Sequence, residues 1–423
     1  AGCVPEDVRP ILELAPERWA SRHLFGFSPD EVESVLLVQG QRKLDLVRHE
    51  SAYRLRAPRA ADVDLDAGNG RVLALVEARG EPIQDPKLAE LGLEPPAGEA
   101  TLTSAAATEA EVITERVDVG HPDAEGGVAV RRRLDGVVLR LDRQTARSLL
   151  PDATLLRSRE ILDFQPGSVR RIAVTGEVEQ ELAQPRPGSF ELVHPAGLTV
   201  DGGLASDLVD ALARLETERW VADADDGSFG LAQPRLRVSL TVALDGGRTL
   251  DRVLRVGDAT TGGAFATLDG DPGVFVLSRR DRARCERLLV DRTLWPAGAT
   301  PAEIELETPE ARLSLTRLGN DYEQTRGEPR LTASERQRLV EALSDLRAEA
   351  ALHTGPARPN EGLSPPRLTL RLRGDAAGSR ARTLTFGAGD AWQGTTVVYA
   401  RVDGVDATFV VAHALVAAIL DLL

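Results

Sequence analysis

Residues 24–37 read LFGFSPDEVESVLL, and residues 161–174 read ILDFQPGSVRRIAV. Phe27, Pro29, Val32, Val35 and Leu37 meet Phe164, Pro166, Val169, Ile172 and Val174, each 137 positions later. A repeated unit would carry that offset further along the chain, and it does. Tyr53-Arg54-Leu55 meets Phe190-Glu191-Leu192 at the same 137. Val72, Leu75 and Ala78, at helical spacing, meet Val209, Leu212 and Leu215. LGLEPP at 91–96 is followed later by FGLAQP at 229–234, and DVG at 118–120 by RVG at 255–257. Order and spacing persist together, which marks one fold used again.

A third copy begins near Thr300, where AEIEL places Ile304 and Leu306 at the positions of Ile172 and Val174. Tyr322 stands for Phe190, Val340, Leu343 and Leu346 for the helix face, EGLSPP at 361–366 for the turn, and TFG at 385–387 for the next strand. Each copy also carries an aliphatic-Asp-Gly triplet: Leu134-Asp135-Gly136, Leu268-Asp269-Gly270 and Val402-Asp403-Gly404. Asp-Gly between apolar runs predicts a hairpin, because these residues tolerate positive φ.

RLRVSLTVAL alternates through Leu236, Val238, Leu240, Val242 and Leu244, a strand with one dry face and one wet face. LASDLVDALARLETERW spaces its leucines as a helix that covers a sheet, and Thr332 with Glu335 forms a capping-box pattern before the third such helix. The expected fold is therefore α+β: three tandem repeats, each a mainly antiparallel β-sheet packed by one long and one short helix. The expected boundaries are 20–157, 158–296 and 297–423, with 1–19 the tail of a truncated preceding repeat. TFVVAHALVAAILDLL at 408–423 is too short for a membrane span and aligns with the final strand and helix of the other copies. It is expected to be repeat core.

A net charge of −15 argues against a nucleic-acid-binding surface or a polybasic membrane face. Only Lys43 and Lys87 among the 51 basic residues are lysines and methionine is absent, a bias expected of a GC-rich bacterial genome. The missing initiator predicts an N-terminus made by processing or truncation. AGC at the start resembles the end of a lipoprotein signal, with Cys3 as the acylation site; an ordinary strand position is the alternative.

Residues capable of chemistry do not form a motif. His23, His49, His121, His194, His353 and His413 lack ligand spacing. Cys285 falls on a short helix and reads as a packed thiol. GAGDAWQG at 387–394 lacks the Lys-Ser/Thr of a phosphate loop and reads as a hairpin, like GHPDAEGG at 120–127 and GDATTGG at 257–263. DADDGS at 223–228 misses the ligand pattern of a calcium loop and reads as a solvated turn. No catalytic residue, cofactor-binding residue or metal ligand is assigned, and a non-enzymatic protein without cofactor is expected.

RSREILDF at 157–164, SVRRIAV, SFELVHPAGLTVDGG, FGLAQP, RVLRVGD and VFVLSRRDRARCERLL follow one another in an order that resembles a bacterial domain-of-unknown-function family. Members of that family look like envelope proteins and are often encoded beside ABC transporters of the gliding-motility auxiliary type. The resemblance covers the second copy well, the first moderately, and the third mainly by element order, because its F-x-P opening is missing. It implies an extracytoplasmic accessory or scaffold protein in a transporter-associated envelope complex, membrane-bound only through an anchor outside this chain. The implied partners are proteins, either transporter subunits or further copies of the chain, and not nucleic acid. Two other functions fit the repeats. One is a self-assembling surface or filament protein, in which strands such as RLTLRLRG at 367–374 block or register edge pairing. The other is a small-ligand binder or enzyme with a cleft between repeats, which polar groups not shared among the copies would favour.

Overall fold

The computed structural model describes residues 21–104, 112–296, 299–344, 346–374 and 381–423. Residues 1–19, with Cys3 and the expected tail of a preceding repeat, lie outside the described residues. The first sheet contains β1 (Val32–Gln39), β2 (Arg42–His49), β3 (Ala52–Ala57), β4 (Ala61–Asp62), β5 (Glu81–Pro82), β6 (Gly98–Ser104), β7 (Thr114–Pro122), β8 (Val128–Arg132) and β9 (Val138–Leu141), with helices α1 (Leu65–Val76) and α2 (Arg143–Ala146). The second contains β10 (Val169–Thr175), β11 (Gln180–Arg186), β12 (Ser189–His194), β13 (Trp220–Ala222), β14 (Leu236–Ala243), β15 (Thr249–Thr260), β16 (Gly263–Leu268) and β17 (Asp271–Ser278), with α3 (Gly202–Ala213) and α4 (Arg279–Glu286). The third contains β18 (Glu303–Glu307), β19 (Arg312–Leu318), β20 (Asp321–Gly327), β21 (Ala350–Thr354), β22 (Leu368–Arg373), β23 (Arg382–Trp392), β24 (Thr395–Val402) and β25 (Ala407–Ala412), with α5 (Ala333–Leu343) and α6 (His413–Leu420).

The strand order of the third sheet, β20-β19-β18-β22-β23-β24-β25-β21, is that of the second, β12-β11-β10-β14-β15-β16-β17-β13. The first sheet repeats it with β4 added at one edge. Pairing is antiparallel, as between β1 and β6, β10 and β14, and β18 and β22. Three such sheets fit three copies of one unit.

Alternation explains the layers. Along β14, Leu236, Val238, Leu240 and Val242 are buried while Arg237, Ser239 and Thr241 face outward. Helix α3 lays Ala205, Leu208, Val209 and Leu212 inward, and each buried leucine contributes about 1.5–3 kcal/mol of transfer free energy. The Thr332–Glu335 capping box opens α5 as its spacing predicts. Val340, expected on the buried face, is only half-buried; Leu339, one residue earlier, is fully buried with Leu343. Residues 408–423 form most of β25 and α6, with Val410, Val411, Val416 and Ile419 in the interior. Among the described residues no helix is long and apolar enough to cross a membrane.

Two expectations change. RLTLRLRG was expected to govern an edge, but it is β22, paired on one side with β18 and on the other with β23. The aliphatic-Asp-Gly triplets all lie in hairpins, with φ of 74° at Gly136, 91° at Gly270 and 78° at Gly404. They do not share one register, however. Arg133, Asp269 and Asp403 donate equivalent backbone bonds to Arg116, Val253 and Thr383, so the first-copy Asp-Gly sits two residues further along its turn.

The turns LGLEPP, FGLAQP and EGLSPP each approach a strand by backbone at one glycine. Gly92, Gly230 and Gly362 have positive φ, and a Cβ on Gly120, Gly257 or Gly387 would stand 2.1–2.2 Å from the oxygen of Leu91, Phe229 or Glu361. Each strand bulges immediately after that glycine, as the register shifts show.

By compactness the chain divides into two units. One comprises 1–161, 217–225 and 272–275; the other comprises 162–216, 226–271 and 276–423. In the first, the segment after α2 pairs on both sides: Asp64 N–H donates to Leu156 O at 2.8 Å, and Thr217 N–H to Arg159 O at 2.8 Å. In the second, Asp201 N–H donates to Leu289 O at 2.7 Å and Ala348 N–H to Arg292 O at 2.8 Å. Asp201 also caps α3 and accepts from Arg292 at 2.9 Å and Arg347 at 3.0 Å. Burial raises the Asp201 carboxyl, but the Arg292 guanidinium, the Leu204 amide and Arg347 outweigh it and hold it below the usual range.

Gly257→Ala is expected to cost about 1–3 kcal/mol in urea unfolding, because backbone must shift. Gly70→Ala, in helix α1 with open space around it, should instead stabilise by about 0.5–1 kcal/mol. Asp201→Asn is expected to cost about 3–5 kcal/mol at neutral pH. A depressed carboxyl stabilises above its unfolded pKa of about 3.9 and loses that contribution as pH falls. The difference between Asp201→Asn and the parent protein should therefore shrink below about pH 4 in denaturation at stepped pH.

Candidate functional site

The strand registers identify equivalent outward positions on the three sheets. Asp118, Arg255 and Thr385 correspond, and they face Arg131, Thr267 and Arg401 on the next strand. Thr101, Ser239 and Arg371 correspond in the same way. One frame thus holds three different polar sets.

On the first sheet the set is closed. Asp118 is fully buried, accepting from Arg131 at 2.8 Å and Arg133 at 2.8 Å. Glu94 holds Arg131 at 3.2 Å and Glu99 holds Arg133 at 2.8 Å. Burial raises the Asp118 carboxyl, but the two guanidiniums prevail and keep it below the ordinary range. On the second sheet Arg255 pairs with Asp269 at 2.8 Å.

On the third sheet the set opens into a depression of about 690 Å³, lined by Arg371, Thr383, Thr385, Arg401, Asp403 and Asp406 among others. Arg401 is built in: it donates to Gly355 O at 2.6 Å, Thr408 Oγ1 at 3.2 Å and Asp406 Oδ1 at 2.8 Å. Behind it runs a buried polar chain. Thr408 donates to Glu361 Oε2 at 3.2 Å, and the Arg358 amide donates to the same oxygen at 2.9 Å. His353 Nε2 meets Glu361 Oε1 at 2.5 Å, while its Nδ1 faces Thr354 O at 3.1 Å. A carbonyl only accepts, so the contact at Nδ1 is a hydrogen bond that the ring donates. Burial raises the Glu361 carboxyl, but His353, the Arg358 amide and Thr408 together hold it below its ordinary value.

This chain replaces apolar packing. Leu91 and Val138 stand on the first sheet where Glu361 and Thr408 stand on the third, and there they pack with Leu93, Ala129, Ile83 and Leu88. A buried polar cluster that includes a carboxylate seldom stabilises more than a well-packed apolar set of similar volume.

Of the six histidines, the structure joins His353 to this cluster, while His23 is half-buried and His49, His121, His194 and His413 are exposed. The turn alignment already carried a signal, since Glu361 opens EGLSPP where the other turns open on Leu and Phe. Cys285 is fully buried on α4, and burial pushes its thiol up to about 12. GAGDAWQG is the β23–β24 hairpin, turning at Gln393 and Gly394, with Tyr399 bonded to Asp390. In DADDGS, Asp226 accepts from the Ser228 amide at 2.9 Å and from its hydroxyl at 2.6 Å. Among the described residues no group of three metal-ligating side chains converges.

A family model described as a domain of unknown function, DUF4340, matches residues 54–228 and again 191–366. The chain belongs to the DUF4340 family. The starting positions of the two DUF4340 matches, in β3 and β12, are separated by the 137 residues of the repeat. No curated protein matches the chain. A solved structure, a DnaN sliding clamp (DNA polymerase III subunit beta) from Pseudomonas aeruginosa bound to griselimycin, is similar at 8% identity, covering 94% of this chain and 95% of that one. The TM-score between the two is 0.11.

Glu361→Ala is expected to cost about 3–5 kcal/mol, leaving His353 and Thr408 without their partner. The triple variant Glu361→Leu, His353→Leu, Thr408→Val restores an apolar filling and should recover most of that loss in urea unfolding. A triple variant no more stable than Glu361→Ala would show that the polar chain itself supports the fold.

Proposed function

We propose that this DUF4340 chain is a non-enzymatic binding scaffold made of three tandem copies of one α+β unit. The observation that carries the reading is the equivalence of Asp118, Arg255 and Thr385. The frame is the same on three sheets, while the outward polar set differs on each. Selection for solubility alone asks only for a hydrated surface. Three separate networks of arginine and carboxylate on one frame suit recognition of partners, because geometry-specific charged contacts confer specificity.

The family resemblance in the sequence supports an extracytoplasmic setting, as an accessory of an ABC-transporter complex in a bacterial envelope. Attachment to the membrane then comes from a segment outside this chain, and the partners are transporter subunits. The filament reading places a second copy of the chain at a sheet edge such as β12 or β20.

Light scattering is expected to give a mass near 45.4 kDa, and tagged protein should retain subunits of the transporter encoded beside its gene. A concentration-dependent polymer would favour the filament reading. A monomer that retains no transporter subunit from detergent-solubilised membranes would overturn the accessory role.

A further inference from the structure

We propose that the depression on the third sheet is a carboxylate-binding site, filled from outside by the kind of group that Asp118 supplies from within on the first sheet. The first sheet shows what this frame position accommodates: a carboxylate held by two guanidinium groups from one adjacent strand and its turn, Arg131 directly across from it and Arg133 just past the end of β8. On the third sheet Arg401 keeps the Arg131 position, and the short Thr385 stands where the Asp118 carboxylate would be. The frame keeps a cation and removes its anion.

The second cation changes place. Asp403 takes the position of Arg133, but Arg371 takes that of Thr101, so two guanidiniums still line the depression. Arg371 is about half exposed and only 3.8 Å from Glu305, a loose pairing that leaves its donors available to a ligand. Asp406 is engaged by Arg401, and Asp403 is exposed at the rim. Thr383 and Thr385 add hydroxyl donors on the floor.

The buried chain behind the depression then has a purpose that packing does not explain. His353, Glu361 and Thr408 form a line of bonds ending on Arg401 Nη1. A guanidinium held by three oxygen acceptors loses little rotamer freedom when it meets a ligand, which favours binding. His353, Glu361 and Thr408 are positioning residues; Arg371 and Arg401 make the contact.

The carboxylate can belong to a small molecule or to an acidic side chain of a partner protein, and two probes separate these sources. Succinate and a hexaglutamate peptide are titrated calorimetrically into the full chain at low ionic strength, where screening is weak. Saturable binding of at least one probe is expected: succinate for the small-molecule source, the peptide alone for the partner. Arg371→Gln should weaken it at least about tenfold, the loss of one charged contact. Thr385→Asp places a carboxylate on the frame as the first sheet does, and should abolish binding while the circular dichroism spectrum is unchanged. If Thr385→Asp does not fold, the Arg371→Gln result decides. Absence of saturable binding for both probes overturns the site, as does binding that folded Thr385→Asp leaves intact. The peptide arm rests on the scaffold reading, but its failure is distinguishable: retention of transporter subunits by Thr385→Asp would exclude a partner side chain as the source of the carboxylate and leave the scaffold standing.

Discussion

A strand that alternates apolar and polar side chains has one face that must leave water and one that stays in it. Everything else in this protein is arranged around that division. Val35 and Leu37, Ile172 and Val174, and Ile304 and Leu306 put the same kind of surface on the inner side of each sheet, all of it buried. A long helix whose own apolar stripe matches that surface is the economical cover, and α1, α3 and α5 occupy the same place in the order of elements. Because the inner face carries the main core and the outer face only small apolar clusters, most of the outer face is released from it. Asp118, Arg255 and Thr385 can differ in charge without disturbing the layer beneath.

Backbone contacts keep the frame constant where side chains vary. The turn around Gly92, Gly230 or Gly362 touches its strand through a carbonyl oxygen, at a glycine where no Cβ fits. Within each compact unit the segment that follows a copy's short helix is likewise tied by amide-to-carbonyl bonds on both flanks. Such bonds do not depend on residue type, so copies can diverge around them. Divergence has gone furthest on the third sheet, where Glu361 and Thr408 bring charge and hydroxyl to a place that Leu91 and Val138 fill with hydrocarbon. Holding such a cluster in an interior that favours apolar groups costs desolvation, which points to the groups in front of it as the reason.

The repeat, the long helices and the hairpins were legible because they depend on short-range patterns: period two, period 3.6, and Asp-Gly turns. Misreadings arose where partners are distant in sequence. RLTLRLRG looks like an edge by its charges, but its neighbours β18 and β23 come from either side of it in the chain and enclose it. The first Asp-Gly triplet matches the others in letters and not in register, since Arg132 bonds both Asp135 and the carbonyls of Ser21 and His23 there. Val340 matches Val209 by order, while its burial depends on what α5 meets.

The amino-acid sequence by itself determined the unit, its approximate period and which face of each element is dry, because those follow from the spacing of apolar residues and from glycines at fixed places. It also marked Glu361 as the odd member of three matching turns. Only the tertiary structure decided that Glu361 meets His353 and Thr408, that Arg401 ends that chain, and that Thr385 stands where Asp118 does. Those relations join strands and turns by hydrogen bonds across the sheet, and the register that aligns them exists only once the sheet has formed.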